Sequence, residues 1–477
     1  MSSRAIAAFV LACGLLLTAL QAATSGAFDF RAFYCAGYTV NAHANPYHTQ
    51  PLHSCERDRT DGYYRAFART TVLPAPVPGY DLAALAALAR LPFPAARLLW
   101  GALLVCAIAA ATIALARLGS VPLLAAFAAL WISLALPSLQ YGEIIPIAVA
   151  SIAVAAVCAR RGHWHASAAA AAVALCEPHL GLPVFLALLV WAPRTRAVLL
   201  CAAAGLAAIS IAAIGVQANV EYFTAVLPAH ALSEIASDAQ LSLSVVLYYA
   251  GVPGAAAVRA GTIWYVAMLA IAIPLARALA SQTRDDAFLV AFPAGLALVG
   301  GSFMHVTDLP AALPLAFLAY AYLPRHRALV VCAIVLLALP WWHLALLLHQ
   351  GMYAVVVMTA AVGLFLGWEL RARTVWTGLA TAAAAVALLI GVNHWYVQSS
   401  DAYHRVARSI TVPISDRYPE ASWGRTNTRY ISTGLPASWR PGTGSTPTRP
   451  GSGCGRPRTP TTRRARACSR SCSPPTG

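Results

Sequence analysis

Residues 97–117 read Arg97-Leu98-Leu99-Trp100-Gly101-Ala102-Leu103-Leu104-Val105-Cys106-Ala107-Ile108-Ala109-Ala110-Ala111-Thr112-Ile113-Ala114-Leu115-Ala116-Arg117, an uncharged and mostly apolar run between two arginines. About twenty apolar residues in a helix cross the ~30 Å hydrocarbon core of a bilayer. Runs of this kind recur at about 5–23, 120–137, 144–159, 166–192, 197–215, 256–277, 286–303, 309–323, 328–347, 351–369 and 375–395. The 166–192 run is broken by Cys176-Glu177-Pro178-His179 and counts twice if it turns back as a hairpin. The expected fold class is therefore an all-α polytopic membrane protein, a bundle of about 11–13 transmembrane helices.

Composition leads to the same class. The chain is 59% hydrophobic and 10% charged, with a mean hydropathy of +0.66, whereas a soluble domain carries about 25% charged residues. Every basic residue is arginine, which with the heavy alanine usage suggests a GC-rich gene and a bacterial source. The formal charge of +16 is uneven: no acid follows Glu420, yet ten arginines do, from Arg425 to Arg470. The membrane part thus carries only a modest positive charge, and no nucleic-acid partner is needed to explain a pI of about 9.7.

The chain divides into 1–23, a first hydrophobic segment read as a retained signal anchor rather than a cleaved signal peptide; 24–96, a polar outer loop with a short apolar helix at 80–90 read as interfacial; 97–400, the multi-span bundle; 401–420, a short outer segment; and 421–477. The last part is rich in Arg, Pro, Gly, Ser and Thr and is expected to be disordered, with a composition that resembles a shifted reading frame. Placing the N-terminus in the cytoplasm and folding 166–192 as a hairpin puts Arg4, Arg117, Arg160, Arg161, Arg194, Arg196, Arg277, Arg284, Arg325, Arg327, Arg371 and Arg373 inside. Asp29, Glu143, Glu177, His305 and Asp308 then gather near the outer face. Cys35 and Cys55 share the outer loop, where they either pair or remain thiols.

Within that loop, Asp29-Phe30-Arg31-Ala32-Phe33-Tyr34-Cys35-Ala36-Gly37 is followed by Asn45-Pro46-Tyr47. Asp29 reads either as a catalytic carboxylate or as the N-cap of a helix starting at Phe30. His305 and Asp308, at i and i+3, share a helical face or mark the cap of the next helix. Glu143 and Glu177 read as site residues or as helix ends at the water interface. Residues 217–240, with Glu221, Glu234, Asp238 and Gln240, form an amphipathic outer segment, either an interfacial helix or part of an acceptor site. Trp341, Trp342 and Trp395 read as interfacial belt residues. No cofactor is called for; a divalent metal at His305 and Asp308 has only two ligands at helical spacing behind it, so no metal site is assigned.

The stretch from Asp29 to Tyr47 resembles the first outer loop of glycosyltransferase family 87, integral membrane enzymes of the GT-C class that use polyprenyl-phosphate sugars. Asp29, Phe30, Phe33, Tyr34, Ala36, Gly37, Asn45, Pro46 and Tyr47 carry the match. Gly142-Glu143-Ile144, Glu177-Pro178-His179-Leu180-Gly181-Leu182 and His305-Val306-Thr307-Asp308 fall in the family's order. Two positions depart from it: Glu177 stands where a lysine is usual and Glu143 where a glutamine is.

The resemblance implies a GT-C-like bundle in the bacterial inner membrane with its site on the outer side. It implies transfer of a mannose-like hexose from a polyprenyl-phosphate sugar to a glycolipid or glycan acceptor by inverting displacement, with membrane lipid around the site. Asp29 is the expected base. Arg31, Tyr34, Tyr47, Glu143, Glu177, His305 and Asp308 are expected substrate contacts, and Arg57 and Arg59 further phosphate or sugar contacts. A transporter or flippase is the alternative; it should carry polar residues deep within its spans, and those spans are nearly bare here. A polymerase or ligase of surface polysaccharide would carry its long loop late in the bundle rather than after the first span.

Overall fold

The computed structural model describes residue 16 and residues 27–59, 73, 75–235, 240–300 and 303–339. The first segment, the spans at 351–369 and 375–395, the tail, Asp238 and the tryptophans 341, 342 and 395 lie outside the described residues. Among the described residues the fold is helical, with one isolated antiparallel bridge between Gln240 and His305 and no strand.

Two short helices open it, α1 (Phe28–Asn41) and α2 (Thr49–Asp58), followed by α3 (Gly79–Leu88), which takes the place of the apolar stretch at 80–90. Next come α4 (Phe93–Gly119), α5 (Leu123–Tyr141), α6 (Ile145–Arg160), α7 (Trp164–Cys176) and α8 (Pro178–Trp191). They are followed by α9 (Arg196–Glu221), α10 (Leu227–Ser233), α11 (Leu243–Tyr249), α12 (Gly254–Thr283), α13 (Phe288–Gly300), α14 (Leu313–Tyr322) and α15 (Arg327–Leu337). Among the described residues four helical stretches are long and apolar enough to cross a membrane, Phe93–Gly119, Leu123–Tyr141, Pro193–Ser233 and Gly254–Thr283, or five if the pair bent by 108° around Leu323 is one span. The protein is an all-α polytopic membrane protein.

Boundaries follow local chemistry. Pro92 and Pro94 open α4, where a missing N–H costs nothing, and Ser120 closes it in the left-handed region at φ 52°. Pro122 precedes α5, whose middle widens into a π-helical turn over Trp131–Ala135. The segments read as 197–215 and 217–240 join: α9 runs past residue 215 and breaks there, with Gly215 at φ 76° and ψ 168°, backbone angles that glycine reaches without steric cost. A π-helical turn at Tyr222–Val226 then carries the chain into α10. The expected span at 309–323 starts instead as a 3-10 segment, Val306–Ala312, before α14.

The 166–192 stretch is a hairpin. Glu177 stands between α7 and α8 with extended backbone angles, and Trp164 and Trp191, at the far ends of the two helices, line one cavity. Close packing comes from small residues, as between helices in lipid: α6 buries Ala148, Ala153, Ala155, Ala156 and Ala159. Gly181 of α8 lies against the Ala174 carbonyl, where a Cβ would come within 2.4 Å of the oxygen. Outward faces stay apolar; Leu200, Ile209, Ile211, Val216 and Val220 of α9 are exposed, as a lipid-facing surface requires.

Charge is sorted to the two ends of the bundle. At one end Arg160 bonds the Asp285 carboxylate at 2.8 Å, Tyr322 donates to the same oxygen at 2.9 Å, and Arg160 also reaches the Arg117 carbonyl at 3.1 Å. Arg194, Arg277 and Asp286 lie at this end too. The opposite end holds Asp29, Glu143, the Glu177 tip of the hairpin, His305 and Asp308.

Helix α1, which carries Asp29, packs on α3 through Gly37: a Cβ there would lie 2.3 Å from the Leu85 carbonyl oxygen, which is backbone and cannot rotate away. Gly37→Ala therefore forces the two helices apart and is expected to destabilise the protein by about 1–3 kcal/mol. The thermal midpoint of the purified protein measures it, and an unchanged midpoint would refute the tight contact.

Candidate active site

Asp29 is not a helix cap. Ala27 holds the N-cap position in the left-handed region at φ 43°, its N–H donating to the Gln140 carbonyl at 3.2 Å, and Asp29 falls in the first turn of α1. The next residue, Phe30, is fully buried and stacks on Trp100 and Phe93 with ring centroids 5.6 and 5.9 Å apart. Gly142 closes α5 at φ 82°, and a Cβ there would meet the Phe30 Cβ at 2.5 Å. The Trp100 indole donates to the Gly142 carbonyl at 2.8 Å. The Phe30–Gly142 contact brings their neighbours Asp29 and Glu143 close enough for Asp29 to act electrostatically on Glu143.

Burial raises the Asp29 carboxyl to about 7, with the Arg31 guanidinium pulling it down and Glu234 pushing it further up. Glu143 is held well above the usual carboxylate range by burial, then by Asp29, Asp308 and Glu177, while a hydrogen bond from Thr307 favours its charged form. Its Oε2 is buried with no hydrogen-bond partner, the expected condition of an acid that keeps its proton.

The hairpin tip supplies the second part. His179 Nδ1 lies 3.5 Å from Glu177 Oε2, and its Nε2 lies 3.2 Å from Asp308 Oδ2. That same Asp308 oxygen accepts the His305 N–H at 2.7 Å. Asp308 is the third residue of the 3-10 segment that His305 caps, so the two do not share an α-helical face. The Tyr265 hydroxyl donates to the His179 carbonyl at 2.8 Å. Gln240 sits beside His305: its amide nitrogen is 3.2 Å from His305 Nε2 and its carbonyl accepts the Met304 N–H at 3.1 Å. Across Phe303 from His305 stands His230, with ring centroids 4.5 and 4.8 Å from the phenyl.

Asp29, Glu143, Glu177, His305 and Asp308 therefore converge. The remaining expected contacts are placed differently. Arg31 is 3% exposed and acts on both Asp29 and Glu56. Glu56, buried in α2, accepts the Leu73 N–H at 2.9 Å, and burial raises its carboxyl to about 8. The Tyr34 hydroxyl is given to the Leu91 carbonyl at 2.8 Å and the Tyr47 hydroxyl to the Val77 carbonyl at 2.9 Å. Tyr47 also stacks on Tyr222. Arg57 pairs with Asp58, and Arg59 lies over the rings of Tyr34 and Tyr38. Glu221 accepts from Asn45 at 2.7 Å, tying α1's following turn to α9.

Sequence reading missed His179, although it sits inside the Glu177-Pro178-His179 break that marked the hairpin, and also Thr307, Glu56 and His230. An imidazole between two carboxylates was the available signal. Among the described residues no set of three or more His, Cys, Asp or Glu side chains is arranged to hold a metal ion.

Residues 80–307 match the model of glycosyltransferase family 87, the family that the motifs resemble. The match indicates a membrane glycosyltransferase. It contains Glu143, Glu177, His179 and His305, while Asp29 precedes it and Asp308 follows it. No curated protein and no solved structure matches the chain.

Cys35 of α1 and Cys55 of α2 are disulfide-bonded across 20 residues. Closing a loop of that length restricts the unfolded chain by about 3 kcal/mol in the chain-entropy model. Replacing both cysteines by serine is expected to lower the thermal midpoint and to expose the 49–58 helix to protease first; equal midpoints and equal cleavage rates would refute the tie.

Proposed function

We propose that this membrane glycosyltransferase moves a hexose of mannose type from a polyprenyl-phosphate sugar to an acceptor hydroxyl on a glycolipid or glycan, at the outer face of a bacterial inner membrane, in a GT-C-like bundle. One observation carries the reading: Asp29 is buried beside the Glu143 carboxyl at the end of the bundle where the family motifs meet, with its own carboxyl raised to about 7. A carboxyl at that value is divided between acid and base near neutral pH, as a general base should be.

In this reading Asp29 takes the proton of the acceptor hydroxyl while that oxygen forms the bond to the anomeric carbon. The bond from that carbon to the phosphate oxygen breaks on the opposite side, and the polyprenyl phosphate leaves with the electron pair. A single displacement inverts the anomeric centre. The developing phosphate charge needs donors or cations; His305 stands at the site, and His179, held between Glu177 and Asp308, supplies positive charge beside it. Glu177, where the family pattern has lysine, lies against His179, so the cation is carried by a neighbouring residue instead.

Two observations support the outer face. A disulfide between α1 and α2 suits an oxidising compartment, and the arginines gather at the far end, as the positive-inside rule expects.

The test is transfer of labelled sugar from a polyprenyl-phosphate hexose to endogenous lipid in membranes, with protein abundance matched. Asp29→Asn should cut transfer by about 100-fold or more, the usual contribution of general-base catalysis. Transfer that survives removes Asp29 from the chemistry; absence of transfer by the wild type with several donors leaves the transporter reading. Because the base works deprotonated, the wild-type rate should climb with pH and level off above about 7. A rate that falls over the same interval overturns the assignment.

A further inference from the structure

At the arginine end, remote from the carboxylate cluster, a cavity of about 250 Å³ opens between the foot of the α7–α8 hairpin, α12 and the start of α13. Its walls are Trp164, Trp191, Arg194, Arg277, Asp286 and Leu289, with Ala192 and Pro193 completing the rim. Three charged groups nearby are already engaged. Asp285 holds Arg160 and Tyr322, and Arg196 donates to the carbonyls of Leu189 and Val190 at 2.9 Å each, closing the end of α8. Arg194 and Arg277 are exposed and make no hydrogen bond or salt bridge among the described residues. Trp191 donates to the Ile273 carbonyl at 2.9 Å, which ties the hairpin foot to α12.

We infer that this cavity binds the headgroup of an anionic glycerophospholipid, its phosphodiester held by Arg194 and Arg277 and its acyl chains lying along the apolar faces of α8 and α12. Three features specify that occupant. Two arginines on separate elements line one cavity, and guanidinium groups offer a phosphodiester paired donors. The walls sum to one positive charge, two arginines against Asp286, which complements a singly charged headgroup; the Asp286 carboxylate is the acceptor for a headgroup hydroxyl. The position is the end of transmembrane helices, where tryptophans sit at headgroup level and basic pockets between spans hold lipid headgroups. Val190 and Trp191 of α8 and Ile263, Val266 and Ile271 of α12 are exposed apolar side chains along which the chains can lie.

The full-length protein, purified in mild detergent, is offered phosphatidylglycerol or phosphatidylcholine of equal chain length, or glycerol phosphate without chains, and retained ligand is counted by native mass spectrometry. Phosphatidylglycerol should be retained in preference to phosphatidylcholine, with glycerol phosphate alone failing to displace it. Arg194→Gln with Arg277→Gln should weaken retention roughly 30-fold, the combined effect of two arginine contacts to an anionic lipid. Arg194→Lys with Arg277→Lys, which keeps the charge but loses the paired donors, should restore only part of it and shows that loss is not misfolding. Equal retention of the two lipids, or retention unchanged in the double glutamine variant, overturns the site. Displacement by glycerol phosphate at equal concentration assigns the cavity to a free phosphate and overturns the lipid. None of these readouts depends on glycosyl transfer.

Discussion

Charge in hydrocarbon is costly, and every backbone polar group there must find its partner within the protein. The rest of this structure follows from that constraint. Helices α4, α5, α9 and α12 are nearly free of charge along their lengths, and ionisable groups are driven to their ends. At one end Arg160 and Asp285 neutralise one another while Arg194 and Arg277 stay exposed. At the other, acids from four separate segments are pressed together with an imidazole between two of them, a crowding no stability argument favours. Groups assembled at such a cost point to chemistry.

The bundle was legible in the sequence because a membrane helix is written in one variable, the length of an uncharged run. The run at 97–117 became Phe93–Gly119, and the segment ending at 215 ends in a break at Gly215. The hairpin was legible from a carboxylate and a proline where neither belongs in a continuous span. The π-helical turns at Trp131–Ala135 and Tyr222–Val226 were not, since they leave no mark on composition. Nor was the true cap of α1: Asp is the commoner cap, but here Ala27 takes that place because its N–H is anchored to Gln140 on α5, a long-range contact invisible to local pattern.

The site was legible as a set of residues and illegible as an arrangement. Asp29, Glu143, Glu177, His305 and Asp308 were each visible as charges interrupting apolar sequence. Nothing local says that Phe30 packs on Gly142 and so brings Asp29 close to Glu143. Tyr34 and Tyr47, expected as substrate contacts, give their hydroxyls to the backbone of neighbouring segments, a role that no local pattern announces. The glutamate at 177, unfavourable for an anionic substrate when read alone, makes sense only beside His179.

The short hairpin also acts as a depth gauge. Helix α8 has 14 residues, which at about 1.5 Å per residue reach roughly 21 Å, well short of the ~30 Å of hydrocarbon. With its foot at one surface, the tip at Glu177 stops below the other. The carboxylate cluster therefore sits less than a full hydrocarbon thickness above the hairpin foot, and in the proposed reaction a lipid-borne phosphate would meet it by sinking only part of the way into the bilayer while its chain stays in oil. On that proposal the thickness of the surrounding membrane becomes a variable of the reaction, because it sets how far a polar acceptor must descend to reach the tip.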